Sequence, residues 1–267
     1  MKKRFLPLLM VAAAAAALCS HPDPARAQGN FTDVNIDYNG GQLIQNVHVA
    51  TIFWGSEWKG SRYQDFLNGF FQALFTDGRY LANLAQYSAN GYKISNGKYV
   101  GTFLDDLPLA ATVSDSEIRA EIKALATAGS VPATDANILY FVFTPKNTVV
   151  TDRQGNSSLF DFAGYHDFAS EAGFAYAVIP YDVTDNLTLA ASHELAEAVT
   201  DPAPTRYTLA WYDEQYGEIG DIPVDMFYAG VIGQDGFTDT LTAADGTNYV
   251  VQKVWSNYDY APVAFAN

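Results

Sequence analysis

LAASHELAEAVTDP, residues 189–202, sets one histidine and two glutamates into a run of Ala, Leu and Val. His193 and Glu197 are four residues apart, so on a helix both side chains leave from one face, with Glu194 about 100° round. This is the spacing of the His-Glu-x-x-His metal helix. There, two ligands one turn apart hold zinc and the adjacent Glu takes a proton from the attacking water. Here Glu197 stands where the second His would be, and carboxylate oxygen is also a zinc ligand. No Lys or Arg lies within four residues of His193, Glu194 or Glu197; Arg206 is the nearest base. Buried carboxylates without a cation must bind protons or bear a large desolvation cost, a conflict that a divalent ion removes. The alternative is a helix face lining a wet cleft.

Further candidates lie downstream. Asp201-Pro202 ends the helix, because proline forces the preceding residue out of helical geometry. A carboxylate at a helix C-terminus is disfavoured by the dipole, so Asp201 is either a further ligand or a boundary residue. In WYDEQYGEIGD (211–221), Glu218 and then Asp221 are candidates for the third ligand, beside glycines that let backbone approach closely. A solvated acidic turn, or a calcium site built from Asp213, Glu218 and Asp221, is the competing reading. His166, in Gly164-Tyr165-His166-Asp167, reads as a ligand, a transition-state stabiliser or a structural histidine. Tyr212 is a second donor for an oxyanion. His48 alternates with valines and reads as structural or surface. Ser192 directly precedes His193, which is no triad geometry. There is neither a Gly-x-Ser-x-Gly elbow nor a glycine-rich phosphate loop.

The chain has 267 residues and begins as a secretory leader. Lys2, Lys3 and Arg4 precede an apolar run of about 14 residues, short of the roughly 20 that span a bilayer. Ala25-Arg26-Ala27 then supplies a cleavage site, so residues 1–27 read as a signal peptide and 28–267 as one exported domain. The single cysteine, Cys19, lies in the leader. The mature chain therefore has no disulfide, no catalytic thiol and no thiolate metal site. Without the leader, 11 basic residues face 29 acidic ones, a net charge of about −18. Such a surface repels nucleic acid and anionic lipid and suits cations. The 17 Tyr, 17 Phe and 4 Trp serve a large core, or in part a peptide- or sugar-binding groove.

Periodicity predicts strands over 47–54, 138–143, 175–180 and 249–255, and helices over 63–75, 80–87 and 186–200, the last capped by Asp185. Ser114 and Glu117 have capping-box spacing and open another helix. Residues 91–103 read as a hairpin around Asn96-Gly97. Residues 157–168 read as an edge strand or ordered loop carrying His166. The expected fold class is α/β: a single domain with a mixed β-sheet, packed helices and a zincin-like metal-bearing helix.

YNGGQLIQNVHVATIFWGSEW (38–58) and YQDFLNGFF (63–71) resemble the start of the exordium, or phosphate-induced protein, family. ILYFVFTPKNTVVT (138–151), FAGYHDF (162–168), FAYAVIP (174–180) and LAASHELAEAVTDP follow in that family's order. Plant members are extracellular, cysteine-bearing proteins associated with growth, and they lack the His-Glu pair. Bacterial relatives often carry His-Glu-Leu-x-Glu-Ala followed by Glu-Ile-Gly-Asp. The resemblance thus implies that His193, Glu194, Glu197, Glu218 and Asp221 act together. This chain departs from the family in having no mature cysteine; Pro223 stands near where relatives often have one. The expectation is an exported Zn²⁺-dependent hydrolase acting on peptide, with His193, Glu197 and Glu218 or Asp221 as ligands, Glu194 as base, and His166 or Tyr212 steadying the oxyanion. The rival is a non-catalytic extracellular protein that binds glycan or cell wall and holds structural Ca²⁺ or Zn²⁺.

Overall fold

The computed structural model describes residue 31 and residues 34–181, 186–205 and 208–266. The leader, the Asp185 cap and Arg206 lie outside the described residues. The first half of the chain runs β1 (Asp37–Tyr38), β2 (His48–Trp54), α1 (Arg62–Asp77), α2 (Arg79–Leu84), β3 (Lys98–Asp105), β4 (Thr112–Ser114), α3 (Asp115–Ala128), β5 (Ile138–Thr144) and β6 (Val149–Thr151). The second half runs β7 (Tyr165–Ala169), β8 (Phe174–Pro180), α4 (Leu187–Thr200), β9 (Trp211–Tyr212), α5 (Asp221–Tyr228), α6 (Gln234–Phe237), β10 (Thr238–Thr242), β11 (Asn248–Gln252), β12 (Val254–Ser256) and β13 (Ala261–Val263).

Five strands form the main sheet in the order β3-β2-β5-β8-β7. The first four are parallel, and β7 runs antiparallel to β8 at the outer edge. Every residue of β5 and β8 is buried, as parallel strands covered on both faces require. The two-residue period sorts their side chains into two layers. Phe53, Leu139, Phe141, Phe143, Ala177 and Ile179 face the layer of α1, α2 and α4. Ile52, Tyr140, Val142, Tyr176 and Val178 face the layer of α3. The first layer absorbs many of the aromatics: Phe53 stacks on Phe143 with centroids 4.9 Å apart, and Phe71 meets Phe141 at 4.9 Å. Such pairs are worth roughly 1 kcal/mol each beyond the area they bury.

Two helices begin on serine caps, the second at the predicted capping box. Ser61 caps α1 by accepting from the Tyr63 amide at 3.2 Å, and Gly78 ends it in the left-handed region. Ser114 and Glu117 form a reciprocal capping box on α3. One expectation is overturned: residues 91–103 are not a hairpin. Only Lys98 onward is a strand, and it pairs in parallel with β2. The Ser95 amide donates to Gln45 O and the Lys98 amide to Val47 O, both at 2.8 Å. These bonds use the segment's backbone against the remote residues that lead into β2 rather than in a local turn. The predicted late strand is likewise split at Lys253, into β11 and β12.

Helix α4 lies between layers. It packs on β8 and β7 on one side and on β11 on the other, with α2 alongside. All fourteen of its residues are buried, so its apolar residues suit every direction and its three charged residues meet solvent only through the cavity they line.

Candidate metal centre

His193, Glu194 and Glu197 leave α4 toward the edge strand β7, where His166 sits, and toward the Glu218–Asp221 turn that opens α5. His193 Nε2 lies 3.1 Å from Glu197 Oε2. His166 Nδ1 lies 3.1 Å from Glu194 Oε2 and 3.8 Å from Glu197 Oε2. Glu218 Oε1 approaches His166 Nε2 at 3.5 Å. Two groups of side chains have ligand atoms all within 4.8 Å of one another: His166, Glu197 and Glu218, and His193, Glu197 and Asp221. Glu197 belongs to both.

The surroundings fix each ring. Gln252 Nε2 donates to Gly220 O at 2.6 Å, which turns its carbonyl oxygen toward His193 Nδ1 at 3.1 Å. An amide oxygen only accepts, so His193 carries its proton on Nδ1 and presents Nε2 to Glu197. His166 Nε2 donates to the carbonyl of Asp201 at 3.0 Å, which leaves Nδ1 facing Glu194 and Glu197. A carbonyl or amide behind each imidazole is the arrangement that orients histidine ligands at metal sites. The Gly220 amide donates to Glu197 Oε1 at 3.1 Å, so Oε2 is the oxygen left to the cluster.

Two glycines make room for these contacts. A Cβ on Gly220 would sit 2.7 Å from Glu197 Oε1 and 2.7 Å from His193 Nδ1. One on Gly164 would sit 2.9 Å from Glu194 Oε1. The close backbone approach expected of the Glu218–Asp221 segment therefore occurs at Gly220.

Electrostatics follow from burial and crowding. Burial opposes charging the His193 ring, but Glu197, Glu194 and Asp221 outweigh it and push its pKa up to about 10. His166 is raised to about 9: burial again opposes, and Glu194, Glu197 and Asp201 prevail. Burial also works against the Glu197 carboxylate, yet the two histidines and the Gly220 amide hold its pKa below the usual range. Glu218 is driven well above that range by burial and by its acidic neighbours, Glu197 first. Asp201 is raised to about 7, chiefly by burial.

Each residue singled out by the sequence thus has a place. His193, Glu194, Glu197, His166, Glu218 and Asp221 converge on one cavity of ≈ 460 Å³, which Tyr212 also lines. The Asp201 carboxylate is buried and lies outside both ligand groups; its carbonyl serves His166 instead. Asp213 accepts from the amides of Gln215 and Tyr216 at 2.8 and 2.9 Å and shapes the turn. His48 is remote, 3.9 Å from Asp135. Sequence reasoning missed Gln252, whose contact with His193 is made across 59 residues of chain and has no local signal. It also missed Arg153, the one Lys or Arg among the described residues lining the cavity, which pairs with Asp167 at 3.2 Å. A larger surface cavity of ≈ 1050 Å³, lined by Arg79, Asp239 and Lys253 among others, holds no comparable buried cluster.

Compared with protein-family models, with curated proteins and with solved structures, the chain matches none.

Proposed function

We propose that this protein is an exported zinc-dependent hydrolase of zincin-like design, with peptide as its substrate class. The observation that carries the reading is the His193–Glu197 pair, which shares a cavity with Glu194, His166 and the Glu218–Asp221 turn and has no Lys or Arg among its partners in the described residues. The donor set fits zinc: imidazole nitrogen and carboxylate oxygen together suit it, whereas calcium takes oxygen ligands alone. His193, Glu197 and Asp221 would hold the ion, which supplies Lewis-acid polarisation of the scissile carbonyl. Glu194 takes a proton from the attacking water and delivers it to the leaving amine, and its contact with His166 holds it in place. Tyr212, which lines the cavity, is the donor for the developing oxyanion, because both His166 nitrogens are engaged, by Asp201 O and by Glu194.

Peptide is favoured by the edge of the sheet. β7 is the outer strand, and its Tyr165, His166 and Asp167 line the cavity. An extended chain can pair with such an edge and present its carbonyl to the site. Export follows from the leader-like residues 1–27, and the family proposed is the bacterial branch of exordium-like proteins.

The test is Glu194→Gln. The variant should keep its zinc, counted by elemental analysis, and lose hydrolysis of a broad peptide library by about 10²–10⁴-fold, the usual worth of a general base. Zinc bound without any Glu194-dependent hydrolysis would instead support a structural ion in a binding protein.

A further inference from the structure

We infer that the cluster holds two divalent cations bridged by Glu197, one at His193, Glu197 and Asp221 and the other at His166, Glu197 and Glu218. The inference rests on reading the cluster as a metal centre and goes beyond it in number and in the assignment of His166 and Glu218. Three observations carry it.

The ligand groups are the first. Each has one histidine, one acid of its own and the shared Glu197. Glu197 Oε2 lies between the rings, 3.1 Å from His193 Nε2 and 3.8 Å from His166 Nδ1. Two ligands on one zinc, at about 2.05 Å each and a tetrahedral angle, are roughly 3.3 Å apart. The separation on the His193 side is of that size and the one on the His166 side is longer, at 3.8 Å; two-metal hydrolytic sites keep their ions about 3.5–4 Å apart. At both contacts an imidazole nitrogen faces a carboxylate oxygen, a gap that a ring proton fills in the metal-free chain and that a cation can take over when it displaces the proton.

The second observation is an acceptor without a donor. Glu218 is 8% exposed, and its Oε1 has no hydrogen-bond partner. That oxygen lies 3.5 Å from His166 Nε2, and Glu218 belongs with His166 and Glu197 to a group whose ligand atoms all lie within 4.8 Å of one another. An ion at the His193 group alone leaves it uncompensated, whereas one at the His166 group takes it as a ligand.

Charge is the third. Glu194, Glu197, Asp201 and Glu218 are buried, and Asp221 is partly so. Arg153, beside the cavity, is engaged by Asp167 at 3.2 Å and lies 3.9 Å from Asp115. With all five ionised, one divalent ion leaves three negative charges and two leave one; in the metal-free chain, bound protons take that role.

The experiment strips the full mature chain with a chelator, re-equilibrates it with Zn²⁺ alone or Co²⁺ alone, removes unbound ion and counts what remains. Two ions per chain are expected, and the second Co²⁺ should reduce the electron paramagnetic resonance intensity per cobalt, because a shared carboxylate couples the pair. Glu218→Gln should lower the count from two to one, with the circular dichroism of the native chain. If that variant fails to fold, the count and the coupling in the native chain decide. Saturation at one ion overturns the two-ion centre and leaves the hydrolase reading standing, while no bound ion overturns both. Two uncoupled ions, or a folded Glu218→Gln chain that still holds two, overturn the bridge.

Discussion

Gly220 shows how narrow the tolerances are at the level of single residues. Its amide holds Glu197 Oε1, its carbonyl holds Gln252, and its missing side chain is what lets His193 and Glu197 come together. An added methyl would fall 2.7 Å from each of them, closer than such atoms pack, and one or both must swing away. Gly220→Ala should therefore weaken zinc binding by about 10–100-fold, the usual cost of disturbing groups that support metal ligands. Competition with a chromophoric chelator measures this, and unchanged affinity in a folded Gly220→Ala protein would remove the glycine from the argument. His193 and Glu197 are legible in the sequence because four-residue spacing is a local property of a helix. Gln252 is not, since it reaches His193 across 59 residues of chain and nothing near it in sequence announces the contact.

Among elements, the same division between local and remote information holds. β5 and β8 are legible as unbroken apolar runs, and α3 as a capped amphipathic helix. The hairpin expected over 91–103 fails because Asn96-Gly97 is a turn signal whose backbone is claimed by β2 and the segment before it. α5 was hidden by Pro223 in its first turn and by the Asp, Gly and Tyr around it. The start of α3 also carries a joint that sequence does not advertise. Asp115 is buried there and accepts from Tyr165 OH at 3.0 Å, from Tyr176 OH and from Arg119 Nε at 2.8 Å. These bonds tie α3 to β7 and β8, and so to the strand that carries His166. Removing the carboxylate strands two phenols and takes from Arg119 one of its two carboxylate partners, leaving it Glu171. Asp115→Ala should cost about 2–4 kcal/mol of stability in a denaturant titration. A loss below about 0.5 kcal/mol would show that the joint contributes little.

For the whole molecule, pH sets the state of the centre and hence the stability of the fold. Two buried histidines have pKa values raised to about 9 and about 10 in the metal-free chain. A raised histidine contributes stability that is complete below its unfolded value, about 6.5, and is lost as pH climbs through the folded one. Asp201, raised to about 7, and Glu218, raised well above its usual range, act with the same sign, because the folded chain again holds more protons than the unfolded one. Glu197, held low, acts oppositely but only in acid, where its contribution fades as pH falls through its depressed value. The chelator-treated protein should thus lose thermal stability steadily from pH 6.5 to pH 9. Zinc reverses the trend: it needs the imidazole lone pairs that protons occupy, so its binding displaces those protons and strengthens as pH rises. The gap in Tm between zinc-loaded and chelated protein should therefore widen across that interval, and scanning calorimetry at several pH values reads it directly. Parallel profiles with and without zinc would mean that the ion does not compete with protons at His166 and His193, and the centre would have to be placed elsewhere in the fold.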